Sequence, residues 1–172
     1  MATLAGALAA CLLPACQSSQ KTEPTAVAPE LKLEGVRFRL WRGSAPRVSG
    51  EASQATIRRD TNEVTAAEMR AELPSRDHPV VVAAPKVQGV ISTQVFIGEG
   101  GVVLTHGDER ATTERARYEP GPSGGGLVTG TEPVTVVRGG ARLEGVGFTF
   151  DPRTGDLQVG GPVETRAAEA DR

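Results

Sequence analysis

Arg142-Leu143-Glu144-Gly145-Val146-Gly147-Phe148-Thr149-Phe150-Asp151-Pro152-Arg153-Thr154-Gly155-Asp156-Leu157-Gln158-Val159 is the stretch that decides the fold. Apolar side chains take every second position in Val146-Gly147-Phe148-Thr149-Phe150, the period of a strand with one buried face. Asp151 opens a turn by bonding its own backbone, Pro152 fixes φ at the next position, and Gly155 accepts the left-handed conformation. The chain enters as a strand, reverses and leaves as a strand, which is a hairpin.

The same elements recur through the chain. Lys32-Leu33-Glu34-Gly35-Val36-Arg37-Phe38-Arg39-Leu40 lines up with Arg142 to Phe150, and only Arg37 changes character. Ile57-Arg58-Arg59-Asp60-Thr61-Asn62-Glu63-Val64 is a looser copy of the turn, and Tyr118-Glu119-Pro120 opens another, widened by glycines. Gly100-Gly101-Val102-Val103-Leu104 pairs with Gly139-Gly140-Ala141-Arg142-Leu143. Alternation also marks Ile91 to Ile97 and Val134-Thr135-Val136 as strands. Thr65 to Leu73 has helix-forming residues, but its place between strand signals favours a strand. Tandem hairpins with one small, apolar face require those faces to meet. The expected fold is therefore all-β, an antiparallel twisted β-jellyroll or sandwich built from repeated hairpins.

Composition agrees. The chain has 172 residues, 21 Gly and 12 Pro, a load that a helical domain does not tolerate but turns absorb. Phe, Tyr and Trp amount to only 3%, so the core must be aliphatic. A net charge of −2 with mixed signs leaves no basic footprint for nucleic acid. Both cysteines, Cys11 and Cys16, lie in the first sixteen residues. The rest of the chain therefore has neither a disulfide, nor a cysteine-based zinc site, nor a cysteine nucleophile.

Thr3 to Ala15 is apolar and uncharged, and shorter than the roughly 20 residues a membrane-crossing helix needs. It reads as the apolar region of a secretory signal. Leu13-Pro14-Ala15-Cys16 looks like a lipobox, which would make Cys16 the lipid anchor; Leu8-Ala9-Ala10-Cys11 fits the same short pattern after a shorter apolar run. The expected organisation is a signal with lipobox over 1–16, a flexible linker over 17–30, a β-domain over 31–166 and a disordered tail over 167–172.

No catalytic or metal constellation emerges. His106-Gly107-Asp108-Glu109 lacks a metal-ligand spacing and reads as a solvated turn. Ser123, in Gly121-Pro122-Ser123-Gly124-Gly125, lacks the strand–turn–helix frame of a nucleophile elbow, and the same glycine run lacks the Lys-Ser/Thr of a phosphate loop. Arg58-Arg59, Arg115 and Arg117 read as solvent-face charges. The expectation is a protein with no enzymatic activity and no cofactor.

The repeats resemble the LptC/LptA (OstA-like) family of lipopolysaccharide transport. Its members carry a hydrophobic–x–Asp–x–x–Thr–Gly–x–hydrophobic–x–hydrophobic–x–Gly–x–Val pattern; the stretch Phe150 to Val163 follows it from Asp151 onward, with Phe150 directly before the Asp. The resemblance spans about Leu31 to Arg166. It departs at the glycine expansion Gly124-Gly125-Gly126 and in the lipobox, where the best-known LptC proteins have an uncleaved transmembrane helix. What it implies is a slightly open jellyroll that holds the acyl chains of lipid A and relays them through the periplasm. The source would be the membrane subunits of an ABC transporter. The next carrier would be an LptA-like protein, docked by edge-strand addition. The lipid anchor would hold the chain on a membrane, the inner one by the family's habit, with the outer one also open. The candidate lining residues are Val36, Phe38, Leu40, Val146, Phe148, Phe150, Leu157 and Val159, expected to share one strand face; the plain alternative is that they fill a dry core. A second reading is an envelope lipoprotein that bridges partners through sheet edges and carries no lipid.

Overall fold

The computed structural model describes residues 30–121 and 125–167. Cys16 and Ser123 lie outside the described residues. Within them the protein is all-β. Ten strands follow one another: β1 (Glu30–Arg42), β2 (Ala45–Arg58), β3 (Glu63–Leu73), β4 (Val80–Val90), β5 (Val95–His106), β6 (Glu109–Pro120), β7 (Gly126–Arg138), β8 (Ala141–Asp151), β9 (Asp156–Val159) and β10 (Glu164–Ala167). They form one unclosed antiparallel sheet in which β1 to β8 are neighbours in chain order. The far side of β8 is shared by two short strands. β9 covers Phe148–Asp151 and β10 covers Ala141–Glu144. The segment Thr65 to Leu73 is strand, as its surroundings required.

Turn chemistry sets the connections. Two-residue turns close β1–β2, β5–β6 and β7–β8, the last through Gly139-Gly140 with φ of 54° and 81°, the left-handed pair that matches strand twist. Four-residue turns close β2–β3, β4–β5 and β8–β9. Each has Thr third (Thr61, Thr93, Thr154) and a left-handed residue fourth (Asn62, Gln94, Gly155). Two results differ from the sequence reading. Ile91 to Ile97 is not one strand, because Ile91-Ser92-Thr93-Gln94 is a copy of the turn. Gly100-Gly101 is not the counterpart of Gly139-Gly140, because it lies inside β5 as a bulge. The Thr-containing turns recur at multiples of about thirty residues, the mark of a repeated supersecondary unit.

A line of irregularities crosses the strands at mid-length. In β1 the inward residues are Leu33, then Val36, Phe38 and Leu40; the change of parity falls at Gly35. In β2 they are Val48 and Ala52, then Ala55 and Ile57. In β3 the switch falls at Glu68, whose φ is 49°, and in β4 at Pro85. Register then shifts between Glu99 and Val102, between Thr113 and Arg117, and between Gly130 and Pro133. Bulges add a residue, bend a strand and re-aim its side chains. Pro85 and Pro133 sit inside strands because the ladder is already interrupted there. Thr113 Oγ1 donates to the Pro133 carbonyl at 3.0 Å on the same line. The sheet is thus creased across its width, and its two halves fold over a common core.

That core is small-grained. Ala52, Ala55, Ala71, Ala84, Ala111 and Ala116 are buried beside Val80, Val87, Val102, Val128 and Val134. Phe148 and Phe150 are its only buried aromatics among the described residues. Aromatic rings rest on glycine. A Cβ on Gly50 would stand 2.7 Å from the Phe38 ring and one on Gly89 2.5 Å from the Phe96 ring, and Gly126 and Gly130 make way for Tyr118 and Phe148. Phe38, Phe96 and Phe148 pair directly with their glycines across the ladder. Such pairing covers the bare glycine and fixes register.

The crease also corrects one expectation. Val146, Phe148 and Phe150 share parity but not a face. Gly147 at φ 77° opposes Thr131-Glu132 in a bulge, so the inward residues of β8 are Leu143 and Gly145, then Phe148 and Phe150. Val146 is 50% exposed and Phe150 is 0%. Urea denaturation should separate them: Phe150→Ala should cost about 3–5 kcal/mol, whereas Val146→Ala should stay within about 0.5 kcal/mol.

Candidate functional site

An apolar cavity of about 210 Å³ lies inside the folded sheet, against the inner faces of β1 to β7. It runs along the strands, from Leu33, Ile57 and Val64 at one end to Leu40 and Val48 at the other. Among the described residues no charged side chain lines it, and Tyr118 brings its one hydroxyl. The cause is local sequence. On β2 to β4 five of the twelve lining positions are alanine (Ala52, Ala55, Ala66, Ala71 and Ala84), which leave space between facing strands. On β8 the inward positions are Phe148 and Phe150, which fill the same layer. Phe148 and Phe150 fill the β8 end, whereas the space beside Phe38, Phe96 and the alanines is left hollow.

The eight candidate residues divide along that boundary. Val36, Phe38 and Leu40 line the cavity. Phe148 and Phe150 are buried core outside its lining. Leu157 and Val159 are half-buried and pack on the core from β9, paired with Phe150 and Phe148. Val146 faces outward. Reading the sequence missed Met69, Val82, Phe96 and the alanines, which form nine of the twenty-three lining positions. Their signal was present as the alternation Val64, Ala66 and Met69, Ala71, Leu73, but the switch of parity at Glu68 hid it.

The polar residues singled out earlier lie elsewhere. His106 ends β5 and is not a solvated turn residue. Its ring meets that of Phe150 edge-on at 6.0 Å and that of His78 at 6.5 Å, and its Nε2 is buried without a hydrogen-bond partner. Gly155 leaves the room it occupies. Among the described residues no cluster of three or more His, Cys, Asp or Glu is arranged to hold a metal ion. Arg58 pairs with Asp60 and Glu63, Arg115 with Glu99, and Arg117 with Glu119, all on the outer surface.

Chemically, a channel lined by hydrocarbon can accept alkyl chains and offers nothing for bond breaking. Binding there is driven by removal of apolar area from water, without directional contacts to fix an orientation. Among known proteins, no family model matches the chain and no curated sequence is similar to it.

Proposed function

We propose that this chain is a non-enzymatic, lipid-anchored periplasmic carrier in lipopolysaccharide export. It takes the acyl chains of lipid A from the membrane subunits of an inner-membrane ABC transporter and relays them towards the outer membrane. The observation that carries this reading is the hollow, uncharged interior along β1 to β4. Each methylene that enters it from water gains about 0.8 kcal/mol. With hydrocarbon walls, a chain can slide on without breaking hydrogen bonds, which suits a relay better than a store.

The sheet edge supports the second half of the proposal. β1 is 13 residues long and has no strand on its outer side among the described residues. Its unpaired N–H and C=O groups are the template that strand addition uses, here for an LptA-like partner. The same edge favours the alternative, a structural bridge between envelope proteins that carries no lipid.

Site-specific photocrosslinking in cells tests the reading. A reactive residue at Phe38 should give adducts with lipopolysaccharide, while one at the core position Phe148 or the surface position Arg153 should not. Crosslinks to protein alone from all three would reject lipid carriage and leave the bridge. A second test blocks the channel. Ala66→Phe fills space that is empty in the parent, so unfolding in urea should change by no more than about 1 kcal/mol. Binding of an apolar dye to the folded protein should fall, and unchanged binding would place the dye elsewhere.

A further inference from the structure

From Gly35 to Gly50 the chain contains four arginines, Arg37, Arg39, Arg42 and Arg47, and no acidic residue, although the whole chain has a net charge of −2. This segment is the end of β1, its two-residue turn and the start of β2. Trp41, the chain's single tryptophan, lies at that hairpin tip and is 52% exposed, the most exposed of the large apolar side chains described. Leu40 lines the cavity while its neighbour Trp41 stays outside, as alternation along a strand requires, and a register shift falls between them.

The described arginines divide by ion pairing, and Arg59, Arg70, Arg76 and Arg110 share the unpaired state with those of this segment, which differ by lying together with no acidic residue among them in the chain. Arg58, Arg115, Arg117, Arg138, Arg142, Arg153 and Arg166 each form an ion pair. Arg37, Arg39 and Arg47 form none among the described residues, even though Arg37 stands opposite Glu51 across the ladder. Arg37 and Arg39 are exposed, and Arg47 Nε is buried with no hydrogen-bond partner. Unpaired guanidinium groups beside an exposed indole suit a surface that offers phosphates and a partly apolar layer together. Tryptophan prefers the depth of lipid headgroups, and arginine binds their phosphates.

We infer that the β1–β2 hairpin tip docks on the surface of an anionic phospholipid bilayer. In that pose Trp41 enters the headgroup layer, Arg37 and Arg39 supply the attraction, and the end of the cavity formed by Leu40 and Val48 faces the bilayer. The inference goes beyond the carrier reading and does not depend on it, since charge and Trp41 would dock the tip whether or not the cavity holds lipid.

Trp41 is its own reporter. The test uses residues 17–172, the chain expected after removal of the signal, so that neither the apolar leader nor an acyl anchor on Cys11 or Cys16 contributes, and vesicles of phosphatidylcholine with or without phosphatidylglycerol. Mixed vesicles should move Trp41 emission to shorter wavelength and make it accessible to a lipid-borne quencher; pure phosphatidylcholine should do neither. Raising salt from about 0.1 M to about 1 M shortens the screening length from about 10 Å to about 3 Å and should reverse the shift. Arg37→Gln with Arg39→Gln, both at exposed positions, should weaken partitioning about 30-fold. Emission unchanged by the mixed vesicles, an equal shift with both compositions, or undiminished binding by the double variant would each overturn the inference. Lipopolysaccharide crosslinking at Phe38 is a separate readout, so either idea can fail alone.

Discussion

Of the eight long strands described, six switch their inward parity halfway along and β5 and β7 shift register at the same level, and the rest of the structure depends on that crease. A regular antiparallel sheet with alternating side chains would put one flat apolar face against water or another molecule. Here Gly35, Glu68, Pro85 and Gly147 interrupt the alternation in β1, β3, β4 and β8, and Gly100-Gly101 shifts the register of β5. Because each strand is locked to the next by its ladder, one interruption must be answered across the sheet, or register would slip and expose the next strand's apolar set. The two halves are thereby turned towards each other, and a chain with few aromatics obtains a core from alanine and valine.

Side-chain size then decides where that core is solid. Interiors normally reach close packing, and a gap wider than a methyl group costs stability. At the β8 end Phe148 and Phe150 meet that demand, with Gly130 and Gly155 cleared to admit Phe148 and the His106 ring. Along β2 to β4 alanine takes five of the inward places, and a hollow remains among them although Phe38, Phe96 and Met69 stand in the same wall. Larger side chains there would be the cheaper solution for stability alone. The hollow is therefore a property of the inward residue choice and not of the crease, which is common to both ends.

How much of this could be read in advance follows from what each feature depends on. Strands and turns are local, so alternation and the Asp-Pro-Arg-Thr-Gly chemistry of residues 151–155 revealed the all-β class and the hairpin at β8–β9. The face of a given residue is only half local. Val36, Phe38 and Leu40 lie beyond the break at Gly35 in one unbroken run, and alternation placed them correctly. Val146 lies on the other side of Gly147 from Phe148, and alternation placed it on the wrong face. The cavity was the least legible feature. It depends on which strands face each other across the fold, and an alanine in a single strand does not say whether its partner is another alanine or a phenylalanine.

The two edges of the sheet show a further asymmetry that follows from the same chain order. On the β8 side, β9 and β10 divide the edge between them. Gly160 N–H bonds to the Gly147 carbonyl at 2.8 Å, and the Val146 N–H returns a bond to Gly160 at 3.2 Å. This pins the break between the two short strands to the crease itself. A long strand arriving there would find the ladder already capped in two pieces. The β1 edge has no such cover among the described residues, yet Lys32, Glu34, Arg37 and Arg39 are exposed along it, and charged side chains on an edge discourage indiscriminate pairing. One edge is blocked by structure and the other is guarded by charge. Copies of this chain therefore lack two matching open edges for unlimited stacking, and a strand that adds to β1 must bring a charge pattern that complements it.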